Sequence, residues 1–115
     1  MRPKEIDRQI AEGVMGYEKR PIYGIGWWKK DKDNRWKPIA YSFKPSTNIS
    51  HAFEVVEKMR EKFYFEIQDK NGSVFCASFE HKTRPGIYIG CDKNPAMAIC
   101  LAALETIKIK NETRR

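Results

Sequence analysis

Between Asn48 and Phe79 the spacing of apolar positions changes once, and that change marks the centre of the fold. Ile49, Ala52, Phe53, Val56, Met59 and Phe63 recur every three or four residues, the stripe of a helix that buries one side. Glu54, Glu57, Lys58, Arg60, Glu61 and Lys62 make the wet side. Asn48 stands at the expected N-cap, its side-chain oxygen placed to accept a backbone N–H of the first turn, and Pro45 prevents an earlier start. From Phe63-Tyr64-Phe65 onward the period drops to two, so the helix gives way to a strand.

Asn71-Gly72 is the strongest turn signal in the chain, because a type I′ hairpin needs positive φ at both central residues. A two-residue loop there would set Asp69 opposite Val74, Ile67 opposite Cys76 and Phe65 opposite Ser78. Phe65, Ile67, Val74 and Cys76 would then share one face, with Tyr64, Glu66, Gln68, Phe75 and Phe79 on the other. The second face is too apolar for water and too polar for a dry core, so another element or a second copy of the chain is expected to cover it.

Flanking elements complete the plan. Ile6, Ile10, Val14 and Met15, closed by Gly13 and Gly16, predict a short first helix packed on the sheet, on the hairpin's aromatic second face. Between Tyr17 and Lys44, Pro21, Gly24, Gly26 and Pro38 punctuate a stretch rich in Trp and Lys, and Asp31-Lys32-Asp33-Asn34 would join either two short strands or the arms of a loop. Ile87-Tyr88-Ile89 reads as a third strand. Asn94 as N-cap and Pro95 at the first helical position open a last helix that is apolar all round from Ala96 to Leu104, hence buried on more than one side. The fold class is α+β, a small antiparallel sheet layered between helices in an α/β/α sandwich, as one domain over residues 1–115.

Charge and cysteine usage narrow the function classes. The net charge of +7 favours an anionic partner over a neutral one, although a solvated basic exterior has the same signature. Cys76, Cys91 and Cys100 lack a C-x-x-C pairing and sit in apolar settings, which predicts buried thiols in a reducing cytosol and no disulfide framework. No run is apolar or long enough for a signal region or a membrane span, so an intracellular protein is expected.

Three segments carry a family resemblance. Val14-Met15-Gly16-Tyr17-Glu18, the run from Pro45 through Met59, and Ala98-Ile99-Cys100-Leu101-Ala102-Ala103-Leu104 resemble, in order and spacing, the phage ABA sandwich domain family over about residues 6–108. The resemblance implies a sheet layered with helices in proteins of phages and prophages of Gram-positive bacteria, and implies little chemistry. A weaker likeness, of size and layout only, is to the anti-defence sponges that phages use to sequester cyclic ADP-ribose signals. It supplies no residues.

Candidate chemistry is sparse. His51 and His81 are not at ligand spacing from a Cys or carboxylate, so no metal site is expected. No nucleophile elbow, zincin helix or phosphate loop occurs, and no catalytic residue, enzyme activity or cofactor is expected. The start of the last helix, with Lys93 beside Asn94, could hold a phosphate, or Asn94 could be a cap and nothing more. Lys82 and Arg84 would clamp the charge, Phe79 would stack a base, and Arg114 would reach in from the terminus. As the alternative, Trp27, Trp28 and Trp36 with Lys29, Lys30, Lys32, Arg35 and Lys37 form an aromatic and basic set that could stack bases of a nucleic acid or cover the sheet.

The resulting expectation is a non-enzymatic phage accessory protein in the cytoplasm of the bacterial host. It would sequester an anionic nucleotide-type signalling molecule as an anti-defence sponge and act as a homo-oligomer. Nucleic-acid binding and inhibition of a host defence protein are the alternatives.

Overall fold

A computed structural model describes residues 2–19 and 26–112, with side chains to residue 108. Pro21 and Gly24 lie outside the described residues. In chain order the elements are α1 (Pro3–Ile10), a π-helical turn (Ala11–Met15), β1 (Glu18–Lys19), β2 (Trp27–Lys30), β3 (Trp36–Pro38), α2 (Ile49–Met59), β4 (Phe63–Lys70), β5 (Val74–His81), β6 (Ile87–Asp92) and α3 (Pro95–Glu112). Two antiparallel three-stranded sheets, β1-β2-β3 and β4-β5-β6, make the fold α+β.

Helix α3 is the element on which the others converge: it packs on β5, β6, α2, α1 and the π-turn. Ala98, Ile99, Cys100, Ala102 and Ala103 have no exposed surface, which explains why this stretch is apolar around its whole circumference. The helix comes unusually close to the sheet. A Cβ on Gly90 would sit 2.3 Å from the Ala102 nitrogen and 2.7 Å from the Ala98 carbonyl oxygen. Its cross-strand partner is Ala77, fully buried. A patch of Gly and Ala on both partners thus lets the helix backbone rest on the strands.

The first helix corrects one expectation. Ile6 and Ile10 are buried, yet α1 packs against α3 and not on the hairpin's second face. Gly16, at φ 72°, ends the π-turn in the left-handed region open to glycine.

Helix α2 begins as its sequence predicts, with the Asn48 side chain accepting the His51 backbone N–H at 3.2 Å. The preceding turn is fastened to its neighbours through Ser46, a buried polar residue. Its N–H donates to Asp7 at 2.8 Å and its carbonyl accepts from the Asn94 amide at 3.5 Å, so the approaches to α1, α2 and α3 meet there.

The β4-β5 hairpin turns at Asn71-Gly72, both with positive φ, but its register differs by one residue from the two-residue loop. Lys70 pairs with Val74, Ile67 with Ala77 and Phe65 with Phe79, leaving Ser73 as an extra residue in the loop. A slip of one exchanges faces along the whole of β5. Phe63, Phe65, Ile67, Phe75, Ala77 and Phe79 therefore share the core face, and Tyr64, Glu66, Gln68, Val74 and Cys76 share the outer one. The pairing of β5 with β6 sets Cys76 opposite Cys91, where the two form a disulfide, which corrects the expectation that all three cysteines are buried thiols. Only Cys100 is a buried free thiol, its pKa raised by burial and by nearby Asp7.

The Trp-rich stretch is a hairpin, which settles the choice left by its sequence. Asp31 shapes its turn: the Asp31 carboxylate accepts the N–H groups of Asp33 at 2.8 Å and Arg35 at 2.9 Å, and pairs with Lys37 at 3.2 Å. Trp27 and Ile39 hold the hairpin against the core.

Two predictions follow from these contacts. Gly90→Ala forces a methyl into helix backbone that cannot yield as a side chain can, and is expected to cost about 3 kcal/mol or more in urea denaturation. The Asp31 pKa is lowered, chiefly by the Arg35 N–H and then by Lys37 and Asp33 against some desolvation. A depressed carboxylate stabilises the fold above its unfolded pKa, about 3.9, and loses that contribution as pH falls through the lower folded value. Because all three tryptophans lie in this hairpin, tryptophan emission should hold steady down to about pH 4 and shift in stronger acid. In Asp31→Ala it should already be shifted at neutral pH and show no such dependence.

Candidate anion-binding groove

Helix α2 ends at Met59, and the chain crosses to β4 through a tight turn in which the Lys62 N–H donates to the Met59 carbonyl. Beyond β5, the Lys82 N–H donates to the Lys62 carbonyl, so the register that orders the sheet also carries Lys82 to the start of β4. Between α2 and this strand end lies a groove of about 440 Å³, lined by Phe53, Val56, Glu57, Arg60, Phe63, Tyr64, Phe65 and Lys82. That is the size range of small-molecule sites.

Its walls combine stacking surface with positive charge. Tyr64 is 60% exposed and Phe53 45%, with Phe53 braced edge-on by Phe65 at 6.2 Å between ring centroids. The Lys82 ammonium lies 5.3 Å from the centroid of the Tyr64 ring, a cation–π distance. Arg60 pairs with Glu57 at 2.8 Å, but both side chains are mostly exposed. Such a pair is worth at most about 1 kcal/mol and yields to a phosphate offering two charged oxygens.

On the other side of α2 a second depression of about 570 Å³ is lined by Met15, Ser50, Phe53, Glu54, Glu57, Lys58 and Glu61. Three carboxylates against one ammonium repel an anion, so α2 separates a basic groove from an acidic one. Above the acidic side, Tyr41 donates a hydrogen bond to Glu54. Burial raises the Tyr41 pKa first and the Glu54 contact adds to it; burial and Glu54 raise that of Tyr17 in the same way. Both phenols therefore stay protonated near neutral pH.

The structure divides the site expected from sequence. Lys82 and Arg84 precede β6 and Lys93 and Asn94 follow it, which puts the two pairs about 20 Å apart at opposite ends of a six-residue strand. Phe79 is wholly buried, packed edge-on to Phe63 at 6.2 Å and near Phe65, and offers no face to a base. At the start of α3 the Asn94 side chain accepts the Ala96 N–H at 2.9 Å, while the Asp92 carboxylate accepts the Asn94 N–H at 2.9 Å. The Ala96 N–H, a first-turn donor of α3, is thus taken by the side chain of Asn94, which acts as the cap. Arg114 lies outside the described residues. Of the expected set, Lys82 is the residue the groove retains.

Arg60, Tyr64 and Phe53 join Lys82 in its place. Arg60 and Phe53 are absent from the sequence-derived set because helical spacing assigns one to a solvated ion-pair face and the other to the buried stripe. Their sequence signal was faint: the change of period at Phe63 brings the end of α2 and both strand ends to one corner.

Both histidines are engaged in backbone contacts. His51 accepts the Lys44 N–H at Nδ1, 3.0 Å away, with its ring stacked on Phe43 at 5.8 Å. His81 accepts the N–H groups of Thr83 and Arg84 at 3.2 Å each, which fixes the basic loop. Among the described residues no group of three His, Cys, Asp or Glu is placed to hold a metal ion, and no helix is long and apolar enough to cross a membrane.

The nucleic-acid alternative is likewise divided. Trp28 and Trp36 share one face of their hairpin with Lys30, whose ammonium lies 5.4 Å from the Trp36 ring, whereas Trp27 and Lys29 are on the face toward the core. Arg35 is in the turn.

Neither the curated proteins nor the solved structures contain a match to the chain. The family profile described as the phage ABA sandwich domain matches residues 8–104, a span from α1 to the buried part of α3. The chain belongs to the phage ABA sandwich domain family.

Proposed function

We propose that this phage accessory protein acts in the host cytoplasm by stoichiometric capture of an anionic nucleotide-type molecule, without transforming it. The observation that carries this reading is the groove at the α2–β4 corner, where the Lys82 ammonium and the Arg60 guanidinium flank the exposed rings of Tyr64 and Phe53. Two cations would hold a phosphate or pyrophosphate, and an aromatic face would take a base. The acidic depression across α2 would repel the same ligand and so direct it to one side.

A second reading has its own support. Trp28, Trp36 and Lys30 on one hairpin face form a small stacking platform for single-stranded nucleic acid. It requires binding that falls steeply as salt rises, whereas a ligand with one or two phosphates gives a shallow dependence.

Incubating the purified protein with a panel of cyclic ADP-ribose isomers and cyclic oligonucleotides, then assaying free ligand, tests the first reading. One panel member should be depleted and recovered chemically unchanged on denaturation. Lys82→Glu should weaken that capture at least about tenfold, the worth of one charge-assisted contact, while Lys93→Glu at the far end of β6 should leave it unaltered. A panel with no member depleted, or a ligand returned as a product, would refute it.

A further inference from the structure

The helices lie against one face of β4-β5-β6; among the described elements none covers the other. The Cys76–Cys91 disulfide lies on that bare outer face and ties the central strand β5 to the edge strand β6. Gly90 meets α3, so its neighbour Cys91 points away from the helix, and Ile89, beside Cys91 on the same face, is 57% exposed. Cys91 is itself exposed and Cys76 half-buried. Disulfides that brace secreted proteins resist reduction, whereas exposed ones exchange readily with thiols, and the host cytoplasm proposed above is kept reducing by such thiols.

Strand order decides which sulfur is open to attack. A thiolate breaks a disulfide by approaching in line with the bond, from the side opposite the leaving sulfur. Here the bond runs across the strands. Beyond Cys76 stands β4, whose Gln68 is the cross-strand partner of Cys76 and is itself hydrogen-bonded to Glu66. Beyond Cys91 the sheet ends, because β6 is its edge. An incoming sulfur therefore reaches Cys91 and finds Cys76 screened. The third cysteine, Cys100, is wholly buried in α3 and sealed from any external thiol.

We propose that Cys76–Cys91 is a site of thiol–disulfide exchange, opened through Cys91 by a dithiol reductant, and that it switches the chain between a cross-linked and a less stable folded form. A thiolate of the reductant bonds to the Cys91 sulfur, the bond to Cys76 breaks, and its electron pair leaves on the Cys76 sulfur, which takes a proton from water. The reductant's second thiol, giving up its proton, then attacks the reductant sulfur of this mixed disulfide. The reductant closes its own disulfide and Cys91 leaves as a thiolate that is protonated in turn. Two electrons and two protons have passed to the cysteine pair. The β5-β6 ladder needs no cross-link to hold its register, so the dithiol form stays folded. What reduction releases is the unfolded chain, which regains the freedom of the loop between two cysteines 15 residues apart. The disulfide lies four residues along the strands from the row that holds Tyr64, and the exchange is independent of what the groove binds.

Mass spectrometry and thermal unfolding of the purified wild type test this. Protein left in air should contain the disulfide, and millimolar dithiothreitol should open it without denaturant. Glutathione, a monothiol that halts at the first step, should be found after an acid quench on Cys91 at least about tenfold more often than on Cys76. The reduced protein should keep its circular dichroism and melt roughly 10 °C below the oxidised one, the shift expected from opening a loop of this length. A pair that stays reduced in air, a disulfide that opens only in denaturant, glutathione found as often on Cys76, a reduced chain that is unfolded, or melting points that coincide would each overturn the proposal.

Discussion

The whole arrangement depends on how closely α3 lies on the central sheet. At Gly90 the helix backbone leaves no room for a single methyl group, and the facing positions Ala77, Ala98 and Ala102 are all small and fully buried. Dispersion falls off steeply with distance, so contact at this range gathers many atom pairs that a wider gap would forfeit. Larger side chains of α3, such as Ile99 and Leu104, are then free to fill the space toward the other helices, and α1 and α2 close around them. A helix held this tightly on one face of a sheet leaves the opposite face without a layer from the described chain. The bare outer surface is thus the counterpart of the close inner one.

The two ends of the fold differed in how plainly they could be read. Asn48, Asn94 and Pro95 announced their helices because capping is local chemistry, complete within a few residues. The faces of the β4-β5 hairpin were misjudged by the one extra residue at Ser73, because Asn71-Gly72 fits the left-handed turn whether or not a further residue follows. That error moved Phe79 off the face it shares with Phe65 and Ile67. The Cys76–Cys91 disulfide was hidden for another reason, since it depends on the pairing of β5 with β6 and the spacing of the cysteines does not show it. Period alone cannot place a strand whose residues are apolar on both sides, as Val74-Phe75-Cys76-Ala77 are. The groove was harder still. Arg60 and Lys82 are far apart in sequence and meet through the pairing of strand ends, which no local pattern encodes.

The charge distribution gives the binding reading its shape. A surplus of seven positive charges spread evenly would favour any polyanion. Here the sides of α2 differ in sign, with Arg60 and Lys82 across from Glu54, Glu57 and Glu61, so a small anion meets attraction on one side and repulsion a helix-width away. Phe53 and Glu57 border both depressions and make α2 the partition between them. The resemblance seen in sequence rests on the π-turn and β1, the Ser46 turn with α2, and the buried middle of α3. These segments form the scaffold, and the groove's Tyr64 and Lys82 lie outside them.

The convergence on α3 also bears on how the chain acquires its structure. The helix that closes the core is made last of the described elements, while α1, which it must cover, is made near the start. Until a ribosome has released the stretch up to Leu104, the strands and the first two helices have only partial cover for Ile6, Ile10 and Phe79. Contacts between such distant segments slow the search for the native state. Truncated products of translation would therefore be sticky fragments, ready targets for chaperones and proteases.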